Sequence, residues 1–166
     1  MKRFLVLSVS ALAAVALLHD RSAAEERLPI ELVGITIGVS EAEVKTKLSG
    51  VHCMDRKGAF SDRVCYDAAS AIAGVPANAA VDLRSDRVRQ VIVRFSSKDF
   101  LKVASALAEQ YGVATSEKRE PVTTKKGVIL ENETRTWIRG DQRLYARRYH
   151  LKDTTVSSVA LASRAE

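Results

Sequence analysis

The chain has 166 residues, 46% of them hydrophobic and 28% charged, with a formal net charge of +6. The apolar share is too high for a disordered polypeptide, and the length suits one domain with a real core. So modest a positive excess gives little support to nucleic-acid binding and fits attraction to acidic proteins, glycans or anionic lipids.

Lys2 and Arg3 precede an apolar run over residues 4–18, and Ser22-Ala23-Ala24 places small residues where a signal peptidase reads. This is the pattern of a secretory signal peptide over 1–24, its apolar run too short for a comfortable membrane span. The expectation is a periplasmic or secreted protein, with residues 25–166 as a single α+β domain and no transmembrane span in the mature form. No cysteine follows the run, so lipidation of a mature N-terminal cysteine is not expected. Loss of Lys2, Arg3, Asp20 and Arg21 takes the charge from +6 to +4. Export further weakens any nucleic-acid reading.

Residues 28–38, "LPIELVGITIG", read as a short strand or extended lead-in interrupted at Gly34. "GVSEAEVKTKLSG" follows as a short helix. Ser40 and Glu43 have the spacing of a capping box, Val39 and Val44 that of a hydrophobic staple, and Gly50 suits the closing position. Lys45 and Lys47 oppose the negative end of the helix dipole.

Cys53 and Cys65 are the only cysteines, and in an exported chain a disulfide is the default. A loop of about 13 residues closed this way stabilises the fold by roughly 3 kcal/mol in the chain-entropy model. Zinc would need four ligands where His52 and two thiols supply three, and a redox pair normally has C-x-x-C spacing. No metal or cofactor is expected.

Beyond the cysteines, residues 65–68 read as a brief strand and 68–79 as a loop. Residues 80–84 and 88–95 make a hairpin about Ser85-Asp86, with Val91, Val93 and Phe95 facing one way and Gln90 and Arg94 the other. A second helix over 98–111 carries Phe100, Val103, Ala104, Leu107 and Tyr111 at helical spacing, capped by Ser96 or Ser97 and ended by Gly112. The polar segment 114–127 reads as a loop, and strands follow over 131–138, 143–150 and 155–163. The fold class expected is α+β, two short helices packed on an antiparallel sheet. The element order suggests a tandem helix-plus-three-strand repeat, with halves 38–95 and 96–163.

The segments "GVSEAEVKTKLSG", "CYD" and "VDLRSDRVRQVIVRF" together resemble the SmpA/OmlA outer-membrane assembly lipoprotein family. Gly38, Val39, Ser40, Glu43, Val44, Leu48 and Gly50 match its helix start, Tyr66 its aromatic strand, and residues 82–88 its hairpin. A tandem copy of that unit is similar to the secreted β-lactamase-inhibitor proteins. The resemblance implies a helix-plus-sheet fold.

Arg139-Gly140-Asp141 spells an adhesion tripeptide but reads better as a hairpin turn with Gly140 first in a type II′ pair. A two-residue loop sets Trp137 opposite Leu144 and Arg135 opposite Ala146, which turns Trp137, Leu144 and Ala146 to the core. Arg143, Tyr145, Arg147 and Tyr149 then alternate on the other face, beside Thr134, Thr136 and Ile138. Arginine forks bind phosphate or carboxylate, and tyrosine adds contact area at low entropic cost. These four are the candidate binding residues. The bland reading is a solvated face whose arginine stems cover apolar surface.

No catalytic residues are expected. His52 and His150, the histidines left after leader removal, lack a recognisable nucleophile or carboxylate partner in a motif. The function expected is non-catalytic binding of a protein or an anionic cell-envelope component. An inhibitor or accessory subunit of a periplasmic enzyme is the alternative, and a divergent hydrolase the third.

Overall fold

The computed structural model describes residues 28–124, 126–151 and 153–163, so the expected signal peptide lies outside the described residues. Two helices, α1 (Glu41–Lys47) and α2 (Phe100–Tyr111), each precede four strands. The first four are β1 (His52–Asp55), β2 (Arg63–Ile72), β3 (Val75–Arg84) and β4 (Arg87–Ser96). The second four are β5 (Ser116–Thr123), β6 (Ile129–Arg139), β7 (Gln142–Arg147) and β8 (Val156–Ser163). All eight form one antiparallel sheet in the order β1-β2-β3-β4-β8-β7-β6-β5.

This corrects the α+β expectation. Strands and bridges hold 54% of the described residues and helices 16%, so this part of the chain is sheet-dominated, with two short helices as attachments. Two segments read as loops are strands. Residues 68–79 hold the hairpin joining β2 to β3, and 114–127 hold β5. β1 adds a further strand, so each helix precedes four strands rather than three. The lead-in 28–38 forms no strand: Leu32 and Ile35 bridge each other across the Val33-Gly34 turn.

The ends of α1 follow from local chemistry. The Glu43 N–H donates to Ser40 Oγ and the Ser40 N–H donates to Glu43 Oε2, which completes the capping box. The helix stops at Leu48 with extended backbone, so Gly50 does not close it in a left-handed conformation. The Glu41 carboxylate pairs with Lys45 and Arg63, and Arg63 also pairs with Asp55. The hydrogen bond from Arg63, then that from Lys45, holds the Glu41 carboxyl below the usual carboxylate range. In the second half, the Ser97–Asp99 turn capped by Ser96 leads into α2, and Gly112 with φ 84° ends it.

One face of the sheet carries the core. Cys65, Val81, Val91, Leu161, Leu144 and Trp137 share a row by register and are nearly or fully buried. Val44, Leu48, Phe100, Val103, Ala104 and Leu107 of the helices, with Ile30, Leu32 and Ile35 of the lead-in, belong to the same buried cluster. The lead-in is pinned to the second half of the chain. The Ile30 N–H donates to Gln142 Oε1 at 2.6 Å, and the Tyr111 hydroxyl to the Glu31 carbonyl. Trp137 Nε1 donates to the Gly112 carbonyl at 2.8 Å, which satisfies the one polar atom of a buried indole.

Cys53 and Cys65 are bonded as a disulfide, directly opposite each other across β1 and β2. The bond fastens the four-residue β1, too short to hold alone, to the ten-residue β2. Among the described residues, no helix is long and apolar enough to cross a membrane.

Candidate functional site

The Gly140-Asp141 turn has the conformation the sequence implies, with Gly140 at φ 56° and Asp141 outside the positive-φ region. The register is the one expected, Trp137↔Leu144 and Arg135↔Ala146. Arg143, Tyr145 and Arg147 therefore leave β7 on the face away from the core, while Leu144 and Ala146 are fully buried on the other. Tyr149 does not continue this alternation. β7 ends at Arg147, and beyond it the Tyr149 N–H donates to Asn132 Oδ1 while the Arg148 guanidinium lies 5.6 Å from the Tyr149 ring centroid.

Arg143, Tyr145 and Arg147, with Ser116, Thr134, Thr136 and Ile138, line an open depression of about 520 Å³. A second of about 390 Å³ lies over β3 and β4, and its wall includes Asn78, Arg94 and Val156. Register shows how they are related. One row across the open face runs Ile92, Ala160, Tyr145, Thr136, and the next runs Asn78, Arg94, Ser158, Arg147, Thr134. β8 contributes only small side chains here, Ser158, Ala160 and Ala162, between the long ones of β4 and β7. Gln90 Nε2 donates to the Tyr145 hydroxyl at 3.3 Å and so links the two sides of β8.

Arg94 was outside the sequence reading of this face. Its strand lies on the first half of the chain, and only the β4–β8 pairing brings it within two strands of Arg147. The alternation of β4 told that Arg94 faces away from Val93; nothing local told which strand would lie beside it.

His150 sits at one end of this surface, half-buried, with Nδ1 3.0 Å from Ser158 Oγ. Burial, then the charges of Arg94 and Arg147, push its pKa below the ordinary histidine value, while Asp153 pulls the other way. Ser158 is 3% exposed, so this serine–histidine pair presents no open nucleophile. His52 lies exposed on β1, at the opposite side of the sheet, opposite Tyr66. Among the described residues, Glu41 is the carboxylate grouped with the two sulfurs, and those sulfurs are bonded to each other. That leaves a single oxygen ligand, well short of a zinc set.

Comparison of the chain with protein-family models, with curated proteins and with solved structures finds no match.

Proposed function

We propose that this is an exported, non-catalytic protein that docks a protein partner on the open face of its sheet, around Arg143, Tyr145 and Arg147. The observation that carries the reading is the contrast between neighbours on β7. Leu144 and Ala146 are consumed by the core, whereas Arg143 and Arg147 form no ion pair among the described residues and border a wide depression. Aromatic and arginine side chains on a shallow surface are the composition that partner hot spots favour. A disulfide between the sole cysteines supports export, because such bonds persist in oxidising compartments. The leader pattern at residues 1–24 supports it independently.

The resemblance to the SmpA/OmlA family, and through tandem duplication to the β-lactamase-inhibitor proteins, favours docking over chemistry. The twice-used order of helix and four strands is compatible with such a duplication. On that ground an inhibitor or accessory subunit of a periplasmic enzyme is the second reading.

Pull-down with the mature chain and with an Arg143→Glu/Arg147→Glu variant tests the proposal. One dominant envelope protein should be retained by the first and lost by the second, with both chains equally folded by circular dichroism. Equal retention by the two removes this face as the docking surface. A purified partner enzyme slowed by the mature chain would favour the inhibitor reading.

A further inference from the structure

The row that crosses the open face through Asn78, Arg94, Ser158, Arg147 and Thr134 consists entirely of hydrogen-bond donors. Arg94 and Arg147 have no carboxylate partner among the described residues, although acidic groups elsewhere in the fold are heavily paired. Ser158 separates them on β8, so their backbones stand about 10 Å apart at ordinary strand spacing. Two long guanidinium stems stand on either side of that small residue. His150 reaches over the same spot from the segment after β7, its Nδ1 on Ser158 Oγ.

We propose that Arg94, Arg147 and His150 form a binding site for a doubly charged oxyanion of the phosphate-monoester class. A single carboxylate needs one arginine fork. Two guanidinium groups and an imidazole that gains a proton match a dianion with several acceptor oxygens better. The charges facing His150 are Arg94 from β4, Arg147 from β7 and Asp153 from the turn, with the neutral Ser158 from β8 beneath it. A dianion held between the arginines offsets their repulsion of the imidazolium, so binding takes up a proton at His150. The dianion itself gains a proton over the same pH range, so the readout is the His150 midpoint rather than overall affinity. The site requires no protein partner and stands whether or not one docks on this face.

The test is an NMR pH titration of the His150 ring in the mature chain, with inorganic phosphate as the probe. Sodium chloride and sodium acetate at matched ionic strength are the controls. Phosphate should move the His150 midpoint upward by about one pH unit relative to both controls. An Arg94→Gln/Arg147→Gln variant should lose the phosphate response. A Lys98→Gln/Lys102→Gln variant, which removes the same charge from the region of α2, should keep it. The site is overturned by equal movement in phosphate and the controls, which is screening alone. It is equally overturned if the Arg94→Gln/Arg147→Gln chain, folded by circular dichroism, responds as the parent does.

Discussion

The core side of this sheet and the middle of its open side treat charge differently. On the core side, the ionic groups at the margins are paired: Arg135 Nε meets Glu133 at 2.6 Å, Arg119 Nη2 meets Glu117 at 2.8 Å, and Glu41 binds Lys45 and Arg63. On the open side, pairs such as Lys118–Glu120 and Arg56–Asp82 lie toward the edges, while Arg94, Arg143 and Arg147 lie across neighbouring central strands with no carboxylate engaged among the described residues. Pairing charges near a core limits the cost of burying them. Leaving several cations together offsets no such cost and slightly destabilises the isolated chain. The side that folding needs pairs its charges, and the centre of the other side leaves three arginines together.

That difference makes ordered predictions. Trp137→Ala, on the core side, should lower stability by about 3–5 kcal/mol by opening a cavity and stranding the Gly112 carbonyl, read as an earlier urea midpoint. Replacing both cysteines with alanine should cost about 2–4 kcal/mol, with unfolding checked against the parent before and after reduction. Ser40→Ala should cost about 1 kcal/mol through loss of the capping box, measured by thermal unfolding. Arg143→Glu/Arg147→Glu should change stability by less than about 0.5 kcal/mol while abolishing partner retention, the reverse of the Trp137 result. A large loss of stability in that variant would mean that the open face too is committed to folding.

The pH dependence of stability adds a smaller effect. The His150 pKa is lowered on folding, so the unfolded chain binds more protons as pH drops below the ordinary value of 6.5. Stability from this group is complete above that value and is lost as pH falls toward the folded pKa. His150→Gln should flatten the slope of melting temperature in that window. Glu41 acts in the same direction at lower pH. Its contribution is present above the ordinary carboxylate value of 4.5 and disappears as pH falls through the lowered folded pKa.

What the sequence disclosed follows from how local each signal is. The capping box of α1, the apolar spacing of α2, the alternation of Val91, Val93 and Phe95 and the Gly140-Asp141 turn depend on neighbours a few residues apart, and each has its structural counterpart. β2 and β3 were obscured because their hairpin is alanine-rich, carries Pro76, and turns at Ala73-Gly74 with Ala73 at φ 51°. Alanine has little strand preference and rarely turns in this way. β5, "SEKREPVT", looked like a loop because an exposed edge strand is best protected by charge and proline. β1 is four residues long and owes its place to a covalent partner. Arg143, Tyr145 and Arg147 could be placed on one face from the turn alone. Their neighbours Ile92 and Arg94 could not, because a pairing across some 65 positions leaves no local trace.

The position of β8 carries a kinetic consequence. This strand is synthesised after the other seven, yet it lies between β4 and β7 near the middle of the sheet. Each four-stranded run contains its own hairpins, but the seam between the runs stays open until residues 156–163 arrive. A chain threaded through a membrane start-first would therefore hold β4 with a bare backbone edge until translocation is nearly over, the interval in which a holding chaperone would matter most.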